Sequence, residues 1–266
     1  MRVFAPLFSS VVALALFVAG ISACNSVPDT QRRQFNILSP VKEASLGFSE
    51  FEKMKKSKQI SNNPSYNAQV QRVGEQLARV MPVEGAQWEF VIFEDDTPNA
   101  FALPGGKVGV HTGLFQVTQS DAGLAAVIGH EVGHVVARHS GERMTQGVVS
   151  AAAVAGTAAL LKKKAGEGSA APRIAAGVLG GAALVYNRKF SRDQELEADK
   201  LGALYMARAG YDPRESVSLW QRFSAYKTAS GAAQKGSILS THPVDSVRIE
   251  QLQAFMPRAL QEYKES

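Results

Sequence analysis

A single cysteine in 266 residues rules out an internal disulfide framework, so stability must come from a buried core. A chain of this length buries one without such staples. Past the N-terminus, long apolar runs are missing as well. The Ala-, Gly- and Val-rich stretches at 147–161 and 174–186 are each too short to cross a bilayer. They read as two buried or groove-lining helices, with a mobile flap or membrane-contacting hairpin as the sharper alternative. Aromatic residues do not interleave with basic ones, which leaves nucleic acid without support as a partner. No internal repeat is present, so no attached repeat domain is expected. The charge is mildly basic, +5 from 29 Lys and Arg against 24 Asp and Glu. Lys53, Lys55, Lys56 and Lys58 form the only dense basic cluster of the first half, read as a solvated helix face.

What the chain does have begins at its N-terminus. Arg2 precedes an apolar run, Val11 to Ile21, that ends in small residues, the pattern of a secretory signal. Cys24 directly follows Ile21-Ser22-Ala23, which resembles the bacterial lipoprotein lipobox. That resemblance implies a signal peptide over 1–23 and lipidation of Cys24. Residues 24–45, polar and without a period, are then a lipidated N-terminus and tether, and the domain proper spans 46–266. Asn25 in place of Asp implies, by similarity to enterobacterial sorting, the outer membrane and not the inner one.

Periodicity outlines the domain. A weak helical pattern covers 46–60. Asn63-Pro64 combines a capping side chain with proline at the first helical position, and Tyr66, Val70, Val73, Leu77 and Val80 continue it at helical spacing. The period then changes: Trp88, Phe90 and Ile92 alternate as in a strand. Asn99 to Leu103 and Lys107 to His111 flank the turn Pro104-Gly105-Gly106. A small antiparallel sheet is expected. From the cap Ser120 a helix should carry Leu124, Val127, Ile128, Val135 and Val136. Further helices are expected at about 193–209, 213–226 and from Pro243, giving an α+β, mainly helical fold.

The helix after Ser120 carries His130-Glu131-Val132-Gly133-His134. Histidines four apart are separated by about 400° of helix, so both rings leave from nearly one face. They can converge on one ion at the roughly 2.0–2.1 Å of a zinc–nitrogen bond. Glu131, about 100° further round, reaches a metal-polarised water without ligating. Such a water and a carboxylate base are what amide hydrolysis requires. The bland reading is a helix with two surface histidines. Against it, the motif sits in an apolar helix. Gly133, which costs about 1 kcal/mol of helix stability against Ala, makes sense if another element approaches closely.

A catalytic zinc needs a third protein ligand. His139, five residues after His134, falls off the ligand face of a continuing helix and reads as a surface or supporting residue; His111 in the strand region is discounted too. Glu195, Glu197 and Asp199 remain. Glu195 and Asp199 share a helix face, with Glu197 roughly opposite. One of the pair fits as a ligand and the other as a carboxylate that orients a histidine. Spacing alone does not rank them.

Together, His130-Glu131-x-x-His134 and Glu195-Leu196-Glu197-Ala198-Asp199 resemble the M48 family of metallopeptidases, whose pattern is H-E-x-x-H followed by E-x-x-A-D. The stretch Asn99 to Gly106, Ser191-Arg192, Ala209 to Pro213, and Thr241-His242-Pro243 with Arg248 are also similar. The resemblance extends over about residues 45–255 and is nearest to short periplasmic lipoprotein members. It implies a zincin-like fold and one Zn²⁺ per chain held by His130, His134 and Glu195. Glu131 is then the catalytic base and Asp199 a supporting residue. His242 has two readings: an oxyanion donor, beside the candidates Arg248 and Tyr186, or, as in some periplasmic relatives, an occupant of the open zinc position that keeps the enzyme latent. The edge of the Asn99–Leu103 strand is where an extended substrate would add.

The function so implied is a zinc-dependent endopeptidase that hydrolyses misfolded or mistargeted cell-envelope proteins. It would sit lipid-anchored on the periplasmic face of the outer membrane of a Gram-negative bacterium. Expected partners are misfolded outer-membrane proteins and the outer-membrane assembly machinery. The alternative is a chaperone-like envelope binding protein with latent or minor proteolysis.

Overall fold

The computed structural model describes residues 24–165, 190–229 and 236–265. The signal segment, Tyr186 and the stretch at 174–186 lie outside them.

Helices begin where short polar side chains can satisfy free backbone N–H groups. Helix α1 (Pro40–Ser57) is capped by Ser39, which accepts from the Lys42 amide. It starts ahead of the expected position because Ser39-Pro40 supplies both cap and first-turn proline. Its lysines form a solvated face: Lys53 pairs with Glu50, and Lys55 with Glu52 and Glu89. Helix α2 (Pro64–Ala78) is capped by Asn63 and buries Val70, Val73 and Leu77.

Strands β3 (Glu89–Phe93), β4 (Ala100–Leu103) and β5 (Lys107–His111) form a three-stranded sheet in the order β3-β5-β4. The β4–β5 hairpin is antiparallel, turned by Gly105 and Gly106 at φ of 89° and 84°. The β3–β5 ladder is parallel, from Glu89 opposite Lys107 to Phe93 opposite His111. The sheet is therefore mixed, not antiparallel. Residues 94–99 carry the chain across the width of two strand spacings, roughly 10 Å, and β5 inserts into that gap. Alternation in sequence reveals a strand but not its neighbour. The outcome leaves β4 at an edge, packed over the central helix.

That helix, α3 (Asp121–Val136), is capped by Ser120 and buried nearly all round. Helix α4 (His139–Ala165) contains the stretch 147–161 without a break. Helix α5 (Arg192–Arg208) opens with a capping box between Ser191 and Gln194. Helices α6 (Arg214–Ala229) and α7 (Ser246–Glu265) complete the described core, which closes around Leu219, Trp220 and Phe223. The chief helix pairing is α3 on α5, with α7 behind α5. Glycines set how closely α3 and α5 approach. A Cβ on Gly133 would meet the Ala198 carbonyl oxygen at 2.9 Å, and one on Gly202 the His130 amide nitrogen at 2.8 Å.

The stretch expected to be a tether is folded. Strand β1 (Cys24–Ser26) pairs antiparallel with β2 (Arg33–Phe35). Between them Val27 is fully buried, Asp29 receives hydrogen bonds from Arg208 and Tyr205, and Arg32 pairs with Glu142 and Glu197. Its polar composition hid this, because the hairpin is held mainly by ion pairs to residues over a hundred positions away. Among the described residues no helix is long and apolar enough to cross a membrane.

Candidate metal centre

Helix α3 delivers His130 and His134 from one face, and α5, held against it by the glycine seam, delivers Glu195. His242 arrives from the turn that ends Ile238–Thr241. All four side chains are buried, and one ligand atom from each lies within 4.8 Å of the others. Nε2 of His130 stands 3.2 Å from Nε2 of His134, 3.4 Å from Oε2 of Glu195 and 3.2 Å from Nδ1 of His242. Nε2 of His134 is 3.6 Å from Oε1 of Glu195. Tetrahedral coordination at zinc–ligand bonds of this kind places ligand atoms roughly 3.4 Å apart. The spacings and the N,N,O donor set therefore fit zinc. Among the described residues Glu131 Oε1 is buried without a hydrogen-bond partner, 3.5 Å from Nε2 of His242. That is a group placed to work on something the site takes in.

The far side of each α3 histidine is also engaged. Nδ1 of His130 lies 2.9 Å from Asp199 Oδ1. Asp199 receives two hydrogen bonds from Arg248, at 2.7 and 2.8 Å. Arg248 further pairs with Glu195 at 2.8 Å and donates to the Pro243 carbonyl. Its guanidinium, over the Trp220 ring, is thus committed to carboxylates and a carbonyl, which does not suit it as an oxyanion donor. On the other side, Nδ1 of His134 meets Nδ1 of His139 at 2.9 Å, and Nε2 of His139 meets Glu197 at 2.9 Å. His139 is fully buried and not a surface residue. The helix stops at Val136 and Arg138 adopts a left-handed φ of 53°, so the chain doubles back and brings His139 under His134. A straight helix would not have done this.

Phe190 packs tilted against His134 at 3.8 Å between centroids and stacks on His242 at 5.1 Å. No pattern in the sequence marked it, nor Glu197 as the acceptor for His139. His111, discounted from sequence, is buried at the end of β5 beside Lys58 and lies on the wall of the same cavity, but outside the metal cluster.

The charges follow from burial against neighbours. Burial works against a charged His130, but Asp199 and Glu195 outweigh it and raise its pKa to about 9. Burial, with three neighbouring imidazoles adding to it, drives His134 well below the ordinary value. Burial would raise Glu195, yet His242 and His130 hold it well below the usual carboxylate range. Glu131 is pushed up by burial, which makes it a better proton acceptor once ionised. Burial opposes ionisation of Glu197 too, but hydrogen bonds from His139, Thr30 and Arg32 hold it at about 2.

The centre opens to a cavity of about 150 Å³ lined by Glu131, His134, His242, Phe101, Phe190 and edge strand β4. A carboxylate beside a cluster of potential metal ligands, under a strand edge that is unpaired among the described residues, is equipped to hydrolyse an amide in an extended chain.

Comparison with known proteins agrees with that geometry. Residues 64–256 match Peptidase family M48. The chain is 33% identical over 236 residues to the mitochondrial metalloendopeptidase OMA1 of Schizosaccharomyces pombe, covering 88% of this chain and 66% of that protein. It is 29% identical over 203 residues to the putative beta-barrel assembly-enhancing protease of Vibrio cholerae, covering 74% of this chain and 40% of that one. With the beta-barrel assembly-enhancing protease of Escherichia coli it shares 26% over 233 residues, 85% of this chain and 46% of that one. The chain thus spans about two fifths to two thirds of the length of these relatives.

Proposed function

The chain belongs to peptidase family M48, a family of zinc metallopeptidases, and from that premise we propose that it is a zinc-dependent endopeptidase of the cell envelope. The observation that carries the reading is the buried His130, His134 and Glu195 cluster with Glu131 beside it, beneath the free edge of β4. His130, His134 and Glu195 would hold the ion. When bound, zinc supplies Lewis-acid polarisation of the attacking water and the scissile carbonyl. Glu131 is the carboxylate that would accept a proton from the attacking water and return it to the leaving amine. Asp199 and His139 keep the ligand rings in place. Edge strand β4 aligns the substrate by adding it as a further strand, and the Phe101 and Phe190 side chains bound the cavity beside the scissile bond.

The substrates proposed are misfolded or mistargeted envelope proteins, outer-membrane proteins among them, with the outer-membrane assembly machinery as a partner. Two bacterial relatives named as beta-barrel assembly-enhancing proteases support this. The location, periplasmic face of the outer membrane through lipidated Cys24, rests on the lipobox-like sequence Ile21 to Cys24. The mitochondrial relatives carry a similar domain in another compartment.

His242 favours a second reading of the resting state. Its Nδ1 lies 2.9 Å from Glu195 and 3.2 Å from His130, among the ligand atoms themselves. A fourth protein ligand, the third nitrogen of the set, would compete there with a water and hold the peptidase latent, which gives the binding-protein alternative a physical basis.

Metal analysis with cleavage of an unfolded protein such as casein, by wild type and by Glu131→Gln, tests the core claim. About one zinc per chain in both, with cleavage lost only in the variant, is expected. A wild-type chain that binds no zinc overturns it.

A further inference from the structure

Two supports reach the α3 histidines from behind, and they come from opposite ends of the chain. The first runs from His130 through Asp199 to Arg248 on α7. The second runs from His134 through His139 and Glu197 to the N-terminal hairpin. There Arg32 Nε donates to Glu197 Oε2 at 2.6 Å and Thr30 Oγ1 donates to Oε1 at 2.5 Å. We propose that this hairpin is part of the metal centre, with Thr30 and Arg32 acting as positioning residues that fix the ring and tautomer of His134 through Glu197 and His139. The inference rests on the zinc-peptidase reading above.

The argument is one of hydrogen-bond direction. A His134 that ligates through Nε2 keeps its proton on Nδ1. The Nδ1 of His139, 2.9 Å away, must then accept, so His139 carries its own proton on Nε2. That N–H points at Glu197, a carboxylate that only accepts. Glu197 needs donors on its remaining lone pairs, and Arg32 and Thr30 are those donors. Every link has one proton and one direction, and the chain ends on the nitrogen that makes His134 a ligand. A buried ion-pair network serving packing alone has no need to end there. The hairpin is in turn fixed to the body by Asp29 on Arg208 and Tyr205. Arg32 also grips Glu142 on α4, which ties the element carrying His139 to the same guanidinium. The side chain of Arg32 is 33% exposed, so this support, unlike the fully buried Arg248, reaches the surface.

The test compares full-length wild type, Glu197→Gln, Arg32→Met and Arg32→Lys. Zinc affinity is read by competition with a chromophoric chelator, the cobalt-substituted proteins by their visible absorption, and the metal-free proteins by thermal unfolding. Supporting partners of ligating histidines typically carry about 10–100-fold in metal affinity. Glu197→Gln should lose affinity in that range and shift the cobalt bands. Arg32→Met should move the same way by a smaller factor, and Arg32→Lys should recover most of the loss. Zinc affinity and cobalt spectra within about twofold of wild type, with only the melting temperature lowered, overturn the proposal and leave a purely structural hairpin. If Glu197→Gln does not fold, the partly exposed Arg32 pair decides the matter. A wild type that binds no zinc is a separate result: it removes the peptidase reading and this inference with it.

Discussion

Substituting Gly202 by alanine sets two known magnitudes against each other. Alanine in a helix interior is favoured over glycine by about 1 kcal/mol. On an unobstructed face Gly202→Ala would therefore stabilise. Here the added Cβ meets the His130 nitrogen at 2.8 Å, the Gly129 carbonyl carbon at 2.9 Å and the His130 Cα at 3.1 Å. All three are backbone atoms of α3, so no side chain can rotate away. Ordinary contact requires 3.4 Å or more, and α3 and α5 must part by about half an ångström. Overpacking of this kind costs typically 1–3 kcal/mol, so the net expectation is a loss of about 1 kcal/mol, or some 2–4 °C in Tm at this size. The zinc site should feel it more than the fold does. Its proposed ligands are divided across the seam, with His130 and His134 on α3 and Glu195 on α5. Parting the helices stretches the 3.4 and 3.6 Å spacings that match a zinc shell. Urea unfolding of the metal-free protein and chelator competition for zinc measure the two effects. A variant more stable than wild type by about 1 kcal/mol, with zinc affinity unchanged, would refute the claim that close helix approach sets the site.

Zinc binding at pH 7.5 should release about one proton, from His130, because its pKa of about 9 leaves it charged below that value while Glu195 is already ionised and His134 already neutral. Apparent affinity should accordingly rise roughly tenfold per pH unit and level off near pH 9; calorimetry in buffers of different ionisation heat counts the proton, and a count of zero contradicts the assignment. His242→Ala should cleave faster than wild type, since it removes a competing nitrogen from the ligand set; a collapse of kcat would assign His242 to the reaction itself. Asp199→Asn leaves the fully buried Arg248 with Glu195 as its remaining anionic partner and should cost about 3 kcal/mol of stability, together with zinc affinity; an unchanged denaturation midpoint would argue against that buried pair.

Where local chemistry decides, the sequence was readable. The caps Asn63 and Ser120, the hairpin turn at Gly105-Gly106 and the two histidines one helical turn apart all act within a few residues of themselves. Gly133 signalled a close neighbour and has one in Ala198, although nothing in the sequence identified it. Readings failed where partners are distant or geometry departs from the ideal. The hairpin at 24–35 passed for a tether because its anchors, Glu142, Glu197 and Arg208, lie more than a hundred residues on. Of the two readings of His139, surface or supporting, the structure bears out the second, and the left-handed turn at Arg138, which an unbroken helix does not contain, is what brings it under His134. Strand identity was legible but strand order was not, since alternation records which face is buried and not which neighbour is bonded.

The parallel ladder between β3 and β5 also bears on the order in which the sheet assembles. The β4–β5 hairpin needs only a short turn and belongs to the microsecond class of events. Strand β3 must instead find a partner 18 positions away, Glu89 opposite Lys107, with a completed hairpin already in between. Loop closure must precede the ladder's reward, so β3 is expected to dock last and leave first. Amide exchange should then show β3 protected later in refolding than β4. The β4 edge proposed to bind substrate would be in place before the sheet behind it closes, so a nascent chain would expose on β5 a second edge able to capture the kind of extended polypeptide proposed as substrate.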